Sequence, residues 1–221
     1  MKIGPKISEV VFPKIHNEGY KFIAISVLIT FILLLISKLL GFIGLLITIW
    51  VYYFFRDPDR ISINDENYLV SPADGQITQI IEINGPKEFS LENKKFTRIS
   101  IFMNVLQCHV NRSPVLALIE DIFYVPGKFL NATLDKASED NERNIIKFKT
   151  KNGDEIIVVQ IAGLIARRIV CECSKSETVQ QGGKIGMIRF GSRVDVYFNS
   201  YKSLVKLNQT TVAGETLIAK K

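Results

Sequence analysis

Residues 145–161 read IIKFKTKNGDEIIVVQI, and this stretch decides the fold class. Ile145–Lys149 and Ile156–Ile161 are short runs rich in β-branched side chains, and Lys151-Asn-Gly-Asp154 between them is turn chemistry. Asn-Gly flanked by such runs is a strong short-range hairpin signal, because both residues tolerate the positive φ of tight hairpin turns. The pattern continues in both directions. Ile77–Ile83, Thr97–Met103, Leu116–Tyr124, Ile185–Arg189, Arg193–Phe198 and Thr216–Ala219 also read as strands. They are separated by Asn84-Gly85-Pro86, Pro126-Gly127, Gln181-Gly182-Gly183 and Ala213-Gly214-Glu215. Phe129–Glu142 is polar and reads as a loop or a helical turn. Strands do not alternate with helical segments, which argues against a doubly wound parallel sheet. The expected fold is mostly β (α+β), a compact barrel or sandwich with little helix after residue 56.

The amino-terminal quarter is different. Phe22–Phe55 is FIAISVLITFILLLISKLLGFIGLLITIWVYYFF, with Lys38 its only charge. A helix needs about 20 apolar residues to span a bilayer, so each half is marginal alone and the whole is long for one straight span. Two arrangements satisfy this. One is a tight helical hairpin turning at Ser37-Lys38, with Lys38 snorkelling to headgroups. The other is a single tilted span followed by an interfacial segment carrying Trp50, Tyr52 and Tyr53. A cleavable signal peptide does not fit, since the apolar region starts late, runs long and ends in Trp-Val-Tyr-Tyr-Phe-Phe-Arg. Lys2, Lys6, Lys14 and Lys21 precede the stretch and Arg56 and Arg60 follow it, so both flanks favour the cytoplasmic side. The expected division is a membrane anchor at 1–55 and a soluble domain at 56–221.

The whole chain has 221 residues, a net charge of +6 and a mean hydropathy of +0.18. With 47% hydrophobic and 23% charged residues it is neither disordered nor of low complexity. Residues 1–55 hold five of the basic and two of the acidic side chains, leaving the rest only mildly basic. Nothing basic is longer than a pair such as Arg167-Arg168, and no nucleic-acid motif is present, so the charge suits a membrane surface rather than nucleic acid. Cys108, Cys171 and Cys173 lack the spacing of a disulfide scaffold and read as reduced cytosolic thiols. With His16 and His109 the only histidines, a structural zinc site falls short of ligands, and no metal is expected.

Three segments carry candidate chemistry. Ser71-Pro-Ala-Asp-Gly75 is a turn on its own terms, although Asp74 could also orient a histidine as the acid of a triad does. In Met103-Asn-Val-Leu-Gln-Cys-His109-Val-Asn-Arg-Ser-Pro114, His109 is the one neutral-pH acid or base in the soluble part, or else a satisfied structural histidine. In Arg189-Phe-Gly-Ser-Arg-Val-Asp-Val-Tyr-Phe198, Gly191-Ser192 reads first as a turn or bulge and lacks the G-x-S-x-G elbow of hydrolases. Asp, His and Ser occur in that chain order, but a triad is defined by geometry.

Together with the apolar amino terminus and Arg56-Asp-Pro-Asp-Arg60, these segments resemble the phosphatidylserine decarboxylase family in its short, membrane-anchored bacterial form. The resemblance covers essentially the whole chain. It implies a proenzyme in which His109, steered by Asp74, activates Ser192 to cut the Gly191–Ser192 bond. The products would be a 1–191 β subunit and a 192–221 α subunit that begins with a pyruvoyl group made from Ser192. That group would form a Schiff base with phosphatidylserine, release CO2 and yield phosphatidylethanolamine, without pyridoxal phosphate. It further implies the bacterial inner membrane with the catalytic domain on the cytoplasmic face, and a β–α heterodimer whose assembly into homo-oligomers is left open. Long-form relatives have a second histidine three residues after the first, where this chain has Arg112. His109 is thus left to serve processing, substrate protonation or both, and Arg112 to hold a substrate carboxylate or phosphate, or to form an ordinary salt bridge. Two other readings stand beside this one. One is a family member acting on an archaeal-type ether lipid. The other takes Gly182–Lys221, which resembles the hybrid barrels of biotinyl and lipoyl carriers, as a carrier module; no lysine sits in a suitable hairpin tip for that role.

Overall fold

The computed structural model describes residues 12–130, 140–163, 168–189 and 192–221. The chain divides into two compact units. One runs to Asp59 and also takes in Leu106–Val110; the other comprises Arg60–Val105 and Asn111–Lys221.

In the first unit, α1 (Gly19–Ile36) and α2 (Lys38–Phe54) are separated by Ser37, whose extended backbone breaks the helix. The Ser37 N–H still donates to Leu33 O, and its hydroxyl accepts from Leu39 N–H at the start of α2. The two helices pack as an antiparallel hairpin. Thr30 and Thr48 share a hydroxyl hydrogen bond of 2.9 Å across the pair. Gly41 and Gly44 stand where a Cβ would meet Leu34 and Thr30 at under 3 Å, the small-residue contact that lets apolar helices approach. At the base, the Phe22 and Phe55 rings stack at 5.1 Å and His16 N–H donates to Phe55 O. Of the two helix arrangements open in the sequence, the structure has the hairpin. α1 is 18 residues long with a mean hydropathy of 2.3, long and apolar enough to cross a membrane. Its apolar side chains are not a buried core: Leu35 is 72% exposed, and Leu39 on α2 is 68% exposed.

The second unit is mostly β, as expected. Its main sheet has eight strands in the order β13-β2-β3-β11-β7-β6-β5-β9, a curled half-barrel with every neighbour antiparallel. These are β2 (Gly75–Asn84), β3 (Lys95–Met103), β5 (Ala117–Val125), β6 (Arg143–Lys149), β7 (Glu155–Ala162), β9 (Thr178–Val179), β11 (Ser192–Phe198) and β13 (Thr210–Thr211). Two three-stranded sheets complete it. One orders β4 (Val110–Arg112), β10 (Lys184–Ile188) and β8 (Ile169–Cys171) as β4-β10-β8. The other orders β1 (Tyr68–Val70), β14 (Leu217–Lys220) and β12 (Lys202–Ser203) as β1-β14-β12. The quoted hairpin forms from Lys149 opposite Glu155, closing a five-residue loop in which Gly153 takes φ +84°. Thr150 and Asp154 close it through both backbone and side chains.

Alternation sorts the main sheet into two faces. One carries Ile99, Ile101, Met103, Ile156, Val158, Val194, Val196 and Phe198 into the principal core. The other carries Phe96, Ile145, Ile157, Val159, Ile161 and Tyr197 into a smaller cluster. β11 is buried along its whole length, so its polar outer-face residues must find partners. Arg193 Nε donates to Asp195 Oδ1 at 2.6 Å and its Nη2 to Ser100 Oγ at 2.8 Å. The expected loop over 129–142 lies partly outside the described residues. At its described end, the Asn141 amide donates to Leu130 O and Ala162 O.

Candidate active site

Ser192 is the first residue of β11, with Met103 of β3 opposite it on one side and Ala162 of β7 on the other. Its side chain shares the core face with Val194, Val196 and Phe198. The residue is fully buried, and its Oγ has no hydrogen-bond partner among the described residues. A buried hydroxyl left unpaired is costly, and such exceptions concentrate at reacting groups. Gly191, the other half of the expected cleavage site, lies outside the described residues.

A row of side-chain amides runs beside this position. Gln160, on the Ser192 face of β7, donates from Nε2 to Asn111 Oδ1 at 2.8 Å, and Asn144 of β6 donates to Gln160 Oε1 at 2.9 Å. The Asn111 amide lies 3.6 Å from the Met103 sulfur. All three polar residues are buried. Sequence reading passed over Gln160 and Asn144. The signal was available: Gln160 interrupts an alternation in which Ile156, Val158 and Ala162 all face the core.

His109 lies in the first unit, and it is fully buried. Its ring sits 4.2 Å from that of Phe54 at the end of α2. Nδ1 is 2.9 Å from Gln107 O, and a carbonyl can only accept, so Nδ1 carries the proton and Nε2 the lone pair. Nε2 is buried with no hydrogen-bond partner among the described residues. Burial pushes the imidazole down to about 4, with the nearby Arg56 charge acting in the same direction and the Gln107 hydrogen bond opposing. The neutral ring with a bare Nε2 is the form a general base requires. Arg56 itself donates to Tyr53 O and Leu106 O, and its carbonyl accepts from Cys108, which ties the 106–109 segment to the foot of the hairpin.

Asp74 sits in the Ser71–Gly75 turn, which is pinned by Gly214 N–H to Ser71 O and Arg112 N–H to Pro72 O. Its carboxylate is held by Arg60 Nη2 at 2.9 and 3.1 Å and by the Ala213 N–H at 2.8 Å. The hydrogen-bond partner of the His109 Nδ1 is thus Gln107, and that of Asp74 is Arg60, a residue the sequence marked only as a flanking charge. Arg112 of β4 is buried and donates to Gly182 O at 3.0 Å. No cluster of three metal-ligating side chains occurs among the described residues.

The family model described as Phosphatidylserine decarboxylase matches residues 47–219. A phosphatidylserine decarboxylase proenzyme of Pelagibacter ubique (strain HTCC1062) is 67% identical over 213 residues, covering 96% of this chain and 99% of the relative. One from Ruegeria pomeroyi (strain ATCC 700808 / DSM 15171 / DSS-3) is 49% identical over 215 residues, covering 97% and 98%. One from Cereibacter sphaeroides (strain ATCC 17025 / ATH 2.4.3) is 49% identical over 205 residues, covering 92% and 88%.

Proposed function

The chain belongs to the phosphatidylserine decarboxylase family, and on that premise we propose that it is a proenzyme which cuts its own Gly191–Ser192 bond and then decarboxylates phosphatidylserine to phosphatidylethanolamine. The observation that carries this reading is the Ser192 hydroxyl, buried and without a hydrogen-bond partner among the described residues at the head of a central strand, in the segment that bears the family's Gly-Ser motif.

Self-cleavage needs a nucleophile and a base. His109 Nε2 takes the proton of Ser192 Oγ, and the alkoxide attacks the Gly191 carbonyl carbon. The C–N bond breaks as the new ester C–O bond forms, so the acyl group passes from nitrogen to oxygen. Removal of the α-proton of residue 192 expels the ester as the carboxyl terminus of 1–191 and leaves dehydroalanine; this tautomerises to an imine, a water molecule adds its oxygen, and the nitrogen leaves as ammonia. Gln107 O fixes the His109 tautomer, and we assign Asp74 to this step as a positioning residue of the Ser71–Gly75 turn, its carboxylate fixed by the Arg60 ion pair and the Ala213 N–H.

A pyruvoyl group at residue 192 supplies the electron sink that decarboxylation of an amino acid requires, a part played elsewhere by a borrowed cofactor. A buried hydroxyl with no hydrogen-bond partner among the described residues is a fitting precursor for it. The chain's own side chains do the rest. Arg112 is assigned to the substrate's carboxylate or phosphate, for which a guanidinium is suited. His109 is assigned to relaying the proton that replaces CO2: its neutral Nε2 takes a proton from water and passes it to the carbon that lost CO2. The buried amides of Asn111 and Gln160 keep the site polar and dry on the side of Met103 and Ala162.

The helical hairpin serves as the membrane anchor in this reading. Its outward apolar surface fits lipid, and its two ends meet at one level, so Lys14, Lys21 and Arg56 fall on one side, which we assign to the cytoplasm. The substrate is itself a membrane lipid, so anchoring keeps enzyme and headgroup at one depth. The direct test is release of labelled CO2 from phosphatidylserine carrying the label in its serine carboxyl, presented in mixed micelles to the purified protein. Stoichiometric phosphatidylethanolamine is expected; a folded, cleaved protein that releases no CO2 contradicts the substrate assignment.

A further inference from the structure

Two cysteines take no part in this chemistry. Cys171 ends β8, an edge strand of the β4-β10-β8 sheet, and is exposed; Cys173 is buried. Residues i and i+2 of an extended chain point the same way, and here the two sulfur atoms lie 3.7 Å apart. The backbone around them is fixed, since Glu172 N–H donates to Ile185 O and Cys171 pairs with Gly186 of β10. Both are free thiols.

The pair is chemically asymmetric. The Cys171 and Cys173 sulfurs share a hydrogen bond, and the Asn144 side chain also contributes one to Cys171. Together these hold the Cys171 thiol down to about 6, against burial and the Glu172 carboxylate, which raise it. The same contact and burial push the Cys173 thiol up. The exposed sulfur is therefore the one that ionises more readily, and the buried one the one that keeps its proton. An exposed thiolate beside a second thiol is the arrangement of an attacking and a resolving cysteine. Cys108 differs on both counts, being buried and engaged with the Arg56 carbonyl.

We propose that Cys171 and Cys173 form a redox-active dithiol, a modification site that reacts with low-molecular-weight disulfides and closes to an intramolecular disulfide. The Cys171 thiolate attacks one sulfur of the small disulfide, forming a mixed disulfide and expelling one thiolate. Cys173 gives its proton to that thiolate or to water and attacks the Cys171 sulfur, expelling the second. The protein pair loses two electrons, the small disulfide gains them, and two thiol molecules are released. The exchange uses neither Ser192 nor the substrate, although Asn144 hydrogen-bonds both Cys171 and the Gln160 amide.

The test uses the full-length chain in detergent, treated with oxidised glutathione, quenched in acid, alkylated and mapped by mass spectrometry. The expected product is a peptide spanning 171–173 that is two hydrogens lighter and not alkylated, while Cys108 remains a free thiol. Cys173→Ser is expected to stop at a glutathione adduct on Cys171. Cys171→Ser is expected to leave Cys173 unmodified over the same period. Three results would overturn the proposal: the wild-type pair remaining as two thiols, the wild-type reaction halting at a mixed disulfide, or Cys171→Ser reacting as fast as the wild type.

Discussion

Ser192 stands directly opposite Met103 in the β3–β11 ladder, so the residue that heads the proposed α subunit is hydrogen-bonded into a strand of the proposed β subunit. Its other neighbour, Ala162 of β7, belongs to the same piece. The 192–221 segment is built in at two further places, with β13 paired to β2 and β14 to β1. A cut ahead of Ser192 therefore severs the chain without opening a ladder.

It follows that the two pieces stay together after cleavage. Gel filtration of the processed protein in mild detergent should carry 192–221 and the larger piece in one peak at equal stoichiometry. Separation should require denaturant. Loss of the small piece under native conditions would contradict the interleaved arrangement.

His109 gives a kinetic prediction with a definite sign. Replacing it by Gln should slow self-cleavage about 10²–10⁴-fold, the usual worth of a positioned general base. Burial lowers its pKa, so the base-competent neutral form persists as pH falls and is lost only on passing through about 4. Maturation of a cell-free-synthesised precursor should accordingly be flat from pH 8 to about 5.5, whereas an unburied imidazole would be half protonated near 6.5. A midpoint near 6.5, or normal cleavage in His109→Gln, would remove His109 from the step.

Asp74 and Arg60 form a second pair to probe. Asp74→Asn keeps the shape of the turn but removes the charge facing Arg60, and it should slow maturation while leaving the protein folded. Arg60→Gln should give a smaller defect in the same direction, because the Ala213 N–H still holds the carboxylate. Accumulation of uncut precursor, followed on gels, distinguishes the two. Wild-type rates in both variants would leave Asp74 a turn residue only.

Much of this was legible in the sequence for physical reasons that can be named. The long strands appear where β-branched runs end at glycine or proline, and 145–161 predicts its hairpin because Gly153 supplies the positive φ the loop needs. The short strands β8, β9, β12 and β13, two or three residues each, are too brief for any alternation to register. The helix break at Ser37-Lys38 was visible, but the choice of a hairpin rests on Gly41, Gly44 and the Thr30–Thr48 contact, which matter only once two helices face each other. In the site, Ser192, His109, Asp74 and Arg112 stood out through their motifs. Gln107 and Arg60 did not, because their roles come from a backbone carbonyl and from an ion pair between residues 14 apart.

The amide row gives a stability prediction. Gln160→Leu leaves Asn111 Oδ1 and the Asn144 amide without their partner in a buried setting, which should cost about 1–3 kcal/mol. Chemical denaturation of the Ser192→Ala protein with and without Gln160→Leu isolates this effect from processing. An unchanged midpoint would mean that the amides are satisfied in another way.

The central claim is that Ser192 becomes the reactive end of a processed chain, and the intact mass of the purified, detergent-solubilised protein tests it most directly. The account predicts a fragment matching 192–221 but lighter by one ammonia than the serine-started peptide, beside a 1–191 partner, and a single uncut chain from Ser192→Ala. A folded wild-type protein that remains one chain of 221 residues, or a Ser192→Ala protein that is still cleaved at this bond, would contradict it.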